Sequence, residues 1–163
     1  MEGKTWSELE FRNLSFGDGR LNKRFVKTLE DLYRQPLSPI NKACGGWAET
    51  KAAYRLFAND KFSISSVMDC HRENSVSRMQ EHDVVLAVQD TTLLNFDAHS
   101  SKEGLGSIGS NKSKGKSLGL VMHNTLAVSP EGLPLGLLDQ QIYARHRDSK
   151  VNPGIPIRFG FST

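Results

Sequence analysis

Hydrophobic and polar positions follow two different periods along the chain. As far as about residue 81, apolar side chains recur every three or four residues, a spacing that predicts helices with one buried face. From Val84 onwards, short apolar runs are separated by turn residues, a pattern typical of strands. We therefore expect a helical N-terminal part, followed by a part that contains a β-sheet.

The clearest helical pattern runs from Gly19 to about Gln35, with Asp18 as its N-cap and Pro36 directly after it. Its apolar face consists of Leu21, Phe25, Leu29 and Leu32. Nearly opposite this face lie four basic residues, Arg20, Lys23, Arg24 and Lys27. Such a basic stripe is either a solvated surface or a set of contacts to nucleic-acid phosphates, and one helix considered alone favours the solvated surface.

Three further helical segments are predicted: near Ile40 to Ala43, from Trp47 to Asn59, and from Ser63, as an N-cap, to about Glu81. In the middle segment Trp47 and Tyr54 share one side, while Lys51 and Arg55 are one turn apart. We predict that the two aromatic rings are core anchors rather than platforms for base stacking, because a small helical unit needs large buried side chains. His71, in the last segment, is predicted to be packed or at the rim of the core.

The segment VVLAVQDTT is the first predicted strand. Val84 to Gln89 is an apolar run without alternation, which predicts a central strand covered on both faces. Asp90 follows the run directly. A carboxylate on such a rigid position is a candidate metal-binding or acid–base group, but it is equally compatible with a turn that Thr91 and Thr92 help to form.

The remainder of the chain combines a long polar segment with a hairpin. Asn95 to Lys116 is rich in Gly, Ser and Lys, and we interpret it as a loop. Leu120 to Val128 and Leu135 to Tyr143 are predicted strands, joined by a turn at Ser129 to Gly132. This hairpin is expected beside the Val84 strand. From His146 onwards no periodicity is visible, which predicts an irregular tail.

Composition excludes several classes of protein. The 163 residues carry a net charge of only +3, so that any binding of phosphates depends on local clusters of basic residues. No apolar run approaches the roughly 20 residues that span a bilayer, and the N-terminal segment does not resemble a secretory signal. Cys44 and Cys70 are isolated, as expected of reduced thiols. These features predict a soluble, cytoplasmic protein with no membrane partner.

Five segments, taken together and in order, resemble one protein family. They are FGDGRLNKRF, ACGGWAETKAAYRLFAND, VVLAVQDTT, GLGSIG with the basic loop after it, and HNTLAVSPEGLPLGLLDQQIYAR. The series spans roughly residues 5 to 145 and resembles the Tn5-like, IS4-type group of bacterial DDE transposases. No single segment carries the resemblance, but their order and spacing do.

The resemblance implies a division of the chain into three parts. Residues 1–62 would form an α-helical DNA-binding domain. Residues 63–145 would form the first part of an RNase H-like α/β catalytic domain, with a truncated mixed sheet of about three strands. Residues 146–163 do not match the family and would remain an irregular tail.

The resemblance also implies a partner, double-stranded DNA at the inverted-repeat ends of a transposon. Matches to DNA-contacting positions of the family lie between Arg20 and Arg24 and at Tyr54 and Arg55. They favour the interpretation of the basic stripe as a set of contacts to phosphates. The candidate DNA-binding residues are therefore Arg20, Lys23, Arg24, Lys27, Lys51, Tyr54 and Arg55.

Asp90 matches the first carboxylate of the family's catalytic triad. Strand cleavage and transfer are phosphoryl transfers assisted by two Mg²⁺ ions, and several acids must converge to hold them. The second Asp and the Glu of the triad have no match in this chain, because Asp97, Asp139 and Asp148 stand at other positions. We therefore expect a truncated transposase that binds DNA without cleaving it.

Three interpretations remain open at this point. The first is a truncated transposase, and its origin in a frameshift or an early stop is a hypothesis that the downstream genomic sequence would test. The second is a non-catalytic regulator that occupies transposon ends and competes with a full-length transposase, which would then be a further partner. The third is an inert product of a pseudogene.

Overall fold

The computed structural model describes residues 3–98, 102–111 and 115–145. Within these residues five helices precede four strands. The helices are α1 (Trp6–Glu10), α2 (Gly19–Arg34), α3 (Ile40–Ala43), α4 (Trp47–Phe57) and α5 (Ile64–Met79). The strands are β1 (Leu86–Asn95), β2 (Gly106–Asn111), β3 (Gly115–Val128) and β4 (Pro134–Tyr143). The expected order of a helical part before a sheet is confirmed.

The chain forms two compact units, Met1–His71 and Arg72–Thr163. The first unit contains α1 to α4 and the beginning of α5. The second contains the end of α5 and the four strands. No helix in the described part of the chain is both long and apolar enough to cross a membrane.

Helix α2 forms as its sequence predicts. The Asp18 carboxylate accepts hydrogen bonds from the backbone N–H groups of Arg20 and Leu21, at 2.8 and 3.4 Å, and so satisfies two donors at the start of the helix. These bonds hold the pKa of Asp18 below its ordinary value. Phe25, on the predicted apolar face, is buried.

Phenylalanine side chains dominate the core of the first unit. The buried cluster consists of Leu14, Phe16, Phe25, Leu56 and Cys70. The Phe25 ring meets Phe11 at 5.1 Å and Phe16 at 5.7 Å between ring centroids, both edge to face. Edge-to-face pairs of this kind add to the stabilisation that burial alone provides.

Helix α1 is a feature that hydrophobic periodicity did not indicate. The Thr5 hydroxyl accepts the Glu8 backbone N–H and the Glu8 carboxylate accepts the Thr5 backbone N–H, the reciprocal pair of a capping box. Ser7 is fully buried and donates a hydrogen bond to Glu30 of α2 at 2.5 Å. The Thr-x-x-Glu signal is visible in the sequence, but five residues form a stable helix only with such tertiary support.

The start of α5 is anchored to the first unit. The Ser63 hydroxyl accepts the Ser66 backbone N–H at 3.2 Å, which confirms Ser63 as the N-cap. About two turns further along the helix, the half-buried ring of His71 lies 2.6 Å from the Glu10 carboxylate, measured from Nδ1 to Oε1. The predicted position of His71, packed or at the rim, is confirmed.

The sheet of the second unit is antiparallel throughout the described residues. Strand β3 is central, with β1 on one side paired from Leu86↔Val128 to Asn95↔Gly119. On its other side β4 pairs with the second half of β3 and β2 with the first half. The predicted hairpin beside the Val84 strand is confirmed, and the sheet has four strands instead of about three.

Three predictions for this region are wrong. Strand β1 does not end before Asp90 but continues to Asn95, because Thr91 to Leu94 are β-branched or apolar and pair with β3. In the described part of the chain β1 is also an edge strand with mostly exposed side chains, not a strand covered on both faces. The predicted loop from Asn95 to Lys116 contains β2 and the start of β3.

The end of α5 contacts the sheet at strand β4. Val121 and Ala127 of β3 are fully buried, and Ser75 of α5 is fully buried beside Gly136 of β4. Arg78 Nε donates a hydrogen bond to the Leu135 carbonyl oxygen at 2.5 Å. The predicted irregular tail from His146 lies outside the described residues, as do Lys112, Lys114 and Asp148.

Candidate nucleic-acid interface

Helix α4 has one buried face and, opposite it, one exposed face. Thr50, Ala53 and Leu56 are buried. The exposed side chains of the opposite face are Trp47, Lys51, Tyr54 and Arg55. They recur at i, i+4, i+7 and i+8, which places them along one side of the helix.

The aromatic residues of α4 are not core anchors. Trp47 is 80% exposed and Tyr54 is 57% exposed, so the prediction that they are buried is wrong. The physical reason is that phenylalanine rings from other segments, such as Phe16 and Phe25, already fill the core of the first unit. At the centre of α4, the residue on the packed side is Ala53, whose small side chain is fully buried.

The entry into α4 places Trp47 in the first helical turn. Gly45 has a φ angle of +75°, a left-handed conformation that glycine adopts without strain, and Gly46 is the N-cap. No side chain caps this helix, but Thr50 donates a hydrogen bond from its hydroxyl to the Gly46 carbonyl oxygen at 2.7 Å. The turn therefore fixes where the helix begins and leaves the indole on the surface.

The basic stripe of α2 is also on the surface. Arg20, Lys23 and Lys27 are exposed, and Arg24 is half-buried. Lys27 forms a salt bridge of 2.9 Å with Asp31, one turn further along the helix. Exposed helical pairs of this type are weak, so Lys27 remains available to another anion at a modest cost.

Charge compensation is concentrated at the C-terminal half of α2. Arg34 lies 3.8 Å from Glu30, and the hydrogen bond from Ser7 holds the pKa of Glu30 below its ordinary value, so this carboxylate stays ionised. Among the residues that the structure describes, no salt bridge involves Arg20, Lys23 or Arg24. The N-terminal half of α2 is therefore the more positive half.

An open depression of about 410 Å³ lies beside this positive half of α2. Its lining combines apolar, acidic and basic side chains, with Arg12 beside Lys23 and Lys27 among the basic ones and Glu8 as the acidic one. Arg12 is exposed and was not singled out from the sequence, because it lies in a short segment without periodicity. It extends the basic surface of α2 towards α1.

In the second unit, Asp90 occupies an exposed position in the middle of β1. Its register partner on β3 is Asn124, whose side-chain oxygen accepts a hydrogen bond of 2.9 Å from Gln140 Nε2 of β4. The Thr92 hydroxyl donates to the Asp90 carboxylate at 3.3 Å. Strand register and hydrogen bonding thus place an amide and a hydroxyl beside Asp90.

The side chains around Asp90 do not fit a site for two Mg²⁺ ions. Within residues 3–98, 102–111 and 115–145, no group of three or more His, Cys, Asp or Glu side chains is arranged to hold a metal ion. Asp139 is the register partner of Thr125 and so lies on the opposite face of the sheet from Asp90. A two-ion site needs several convergent carboxylates, and the described residues bring only one to this face.

The residues proposed from the sequence therefore separate into two groups. The DNA-binding candidates all lie in the first unit and are wholly or partly exposed, on α2 and α4. Asp90 lies in the second unit, apart from any described acidic cluster. The feature that sequence reasoning missed is Trp47 as a surface residue, although its spacing from Lys51 and Arg55 was visible.

Part of the chain matches a known family. Residues 3–62 match the family model described as transposase DNA-binding. The matched region contains α1 to α4, hence the whole basic stripe of α2 and the exposed face of α4, but neither β1 nor Asp90. The match supports DNA as a partner and a DNA-binding role of the transposase type.

Proposed function

We propose that this chain binds double-stranded DNA at the inverted-repeat ends of a transposable element, as the Tn5-like, IS4-type transposases do. The observation that carries the proposal is the exposed face of α4, where Lys51, Tyr54 and Arg55 stand side by side within the matched region. Their cationic and aromatic groups are those that recur in nucleic-acid recognition.

The two helices have different roles in this proposal. An α-helix fits the major groove of B-DNA, and α4 presents there a guanidinium that can bind the O6 and N7 atoms of guanine with two hydrogen bonds. The basic stripe of α2 contacts phosphates, which position the protein without reading sequence. Because the net charge is only +3, this local concentration of charge provides the electrostatic part of the affinity.

For the second unit we propose the beginning of an RNase H-like domain, with Asp90 at the position of the first triad carboxylate. The supporting observation is the antiparallel arrangement of β1 with the β3–β4 hairpin. Because the described residues do not fit the two Mg²⁺ ions that strand transfer requires, the activity proposed for this chain is DNA binding alone.

A second candidate function is regulation. All candidate DNA-binding residues lie in the first unit, so the chain can occupy a transposon end without contributing to catalysis there. In this role it competes with a full-length transposase for the same DNA. Addition of the chain to a transposition reaction of such an enzyme should then lower the yield in proportion to occupancy of the ends.

A binding titration against inverted-repeat duplexes at several salt concentrations tests the proposed function. We expect log K to fall linearly with log[salt], with a slope of about 0.9 for each phosphate that is contacted. Lys23→Ala should reduce this slope by about one contact, and Arg55→Ala should cost about 1–3 kcal/mol of binding to the preferred sequence.

The matched control is Arg145→Ala, which removes the same charge from an exposed residue outside the matched region. It should bind DNA as the unaltered chain does. Absence of binding at low salt contradicts the proposal, and so does an equal loss of affinity in the Arg145→Ala and Arg55→Ala variants.

A further inference from the structure

We propose that Trp47 is a base-contacting residue, whose indole packs in the major groove against the C5 methyl group of thymine. The inference rests on the proposed DNA-binding function. It adds the residue and the base whose apolar contact distinguishes one base pair from another. It starts from one observation: Trp47 is 80% exposed and lies on the same face of α4 as the exposed Lys51, Tyr54 and Arg55.

The position of Trp47 places it on the same surface as the proposed contacts. It stands one turn before Lys51 and two turns before Tyr54 and Arg55. Along the helix axis Trp47 and Tyr54 are about 10.5 Å apart, roughly the length of three base-pair steps. Residues at the N-terminal end of a recognition helix are those that reach base edges.

The surroundings of Trp47 favour a base contact over a phosphate contact. Gly45 and Gly46 precede it and carry no side chains of their own. The Glu49 carboxylate lies close to Gly46, with its Oε2 atom 2.6 Å from the point where a Cβ at Gly46 would stand. A negative charge at the start of α4 repels phosphate, which leaves the indole as the group that this turn offers to DNA.

The chemistry of indole selects its partner in the groove. Its ring is apolar, and the thymine methyl group is the apolar feature that distinguishes one base pair from the others in the major groove. Side chains that insert between base steps act from the minor groove. That groove is narrower than the major groove and does not admit an α-helix as the major groove does. We therefore assign to Trp47 a contact with a base edge instead of intercalation.

The test uses the intact chain, a duplex that it selects from a random-sequence pool, and single replacements of thymine by deoxyuridine. At the thymine that faces Trp47, deoxyuridine should weaken binding about fourfold, the equivalent of one methyl group left in water. Trp47→Ala should bind the selected duplex more weakly and should not respond to that replacement. The other thymines should respond equally in both proteins.

Fluorescence provides an independent measurement. The chain has two tryptophans, and Trp6→Phe leaves Trp47 as the reporter. Its emission should change on binding of the selected duplex.

The matched control for the deoxyuridine test is Leu37→Ala, because Leu37 is 100% exposed and apolar but lies outside α4. This variant should bind and respond to deoxyuridine as the unaltered chain does.

The outcomes separate the inference from the function on which it rests. If Arg55→Ala loses affinity while Trp47→Ala keeps both its affinity and its response to deoxyuridine, the assignment of Trp47 is wrong and DNA binding stands. Quenching without any response to deoxyuridine also overturns the assignment, in favour of stacking between bases. If the unaltered chain selects no duplex, both proposals fail.

Discussion

At the scale of single residues, the first unit distinguishes charges that maintain the fold from charges that face outwards. Asp18 caps α2, and Glu30 accepts a hydrogen bond from buried Ser7 and lies near Arg34. Arg20 and Lys23, on the same helix, have no salt bridge in the described part of the chain. A protein of small net charge can therefore still present a local cationic surface.

Because of Asp18, the stability of the first unit should decrease at acidic pH. Its folded pKa lies below the ordinary value because its carboxylate accepts the Arg20 and Leu21 N–H groups. A depressed pKa stabilises the fold above the unfolded pKa, about 4, and this contribution is lost as the pH falls through that value and through the folded pKa. We expect Asp18→Asn, which keeps an acceptor oxygen but cannot titrate, to show a weaker loss of stability between about pH 5 and 3.

Denaturant unfolding across this pH range, followed by circular dichroism, measures the difference. Asp18→Ala is the companion variant, and it should be less stable than the unaltered chain at pH 7 because it lacks any capping oxygen. Parallel pH profiles for the unaltered chain and Asp18→Asn would contradict the expectation.

At the scale of elements, side-chain size decides which face of each element is buried. Helix α4 buries Thr50, Ala53 and Leu56 and leaves its largest aromatic side chain outside, whereas the end of α5 approaches β4 at a glycine. Strand β1 keeps Leu86 and Val88 about half exposed along an edge. Exposed apolar edges promote association between chains, so we expect this strand to favour aggregation.

Gly136 should be intolerant of any side chain. Its φ angle is +148°, and a Cβ there would stand 1.9 Å from Ser75 Oγ. Gly136→Ala should therefore destabilise the second unit by about 1–3 kcal/mol, because the end of α5 has to move away from the sheet. Thermal or chemical unfolding of the variant gives this difference directly.

Gly109 is the matched control for that substitution. Its φ angle is +144°, but no atom lies within 4 Å of the position of a Cβ. Gly109→Ala carries the conformational strain without the clash, so it should cost less than Gly136→Ala. Equal effects of the two substitutions would show that the contact with Ser75 does not determine the requirement for glycine.

At the scale of the whole molecule, the residues proposed to bind DNA and the residue proposed as the first triad carboxylate belong to different units. The residues proposed to contact DNA lie within Met1–His71, and Asp90 lies within Arg72–Thr163. A ligand that binds one unit stabilises that unit by mass action. The division therefore has a consequence that can be measured without any assay of activity.

Saturating DNA should protect the first unit selectively. At a DNA concentration of 100 Kd, the stabilisation should approach about 2.7 kcal/mol, and backbone amides of α2 and α4 should exchange more slowly with solvent. Amides of the β3–β4 hairpin should exchange at nearly unchanged rates. Hydrogen exchange followed by mass spectrometry measures both, and protection confined to the hairpin would contradict the proposed interface.

Sequence alone was sufficient for features that depend on near neighbours. The cap and apolar face of α2, the N-cap at Ser63 and the turn between β3 and β4 all follow from residues within a few positions of one another. The helical part before the sheet followed from the change of period at Val84. The basic stripe of α2 was visible for the same reason, because helical geometry alone places its residues on one side.

Tertiary structure decided the features that depend on distant residues. Trp47 was expected in the core of the first unit, but the buried cluster there includes Phe16, Phe25 and Cys70, which come from separate segments. Likewise, the extent of β1 past Asp90 and its place at an edge depend on pairing with β3, some thirty residues later. Burial and strand order depend on how all segments pack together in the same space. A local sequence pattern does not contain that information.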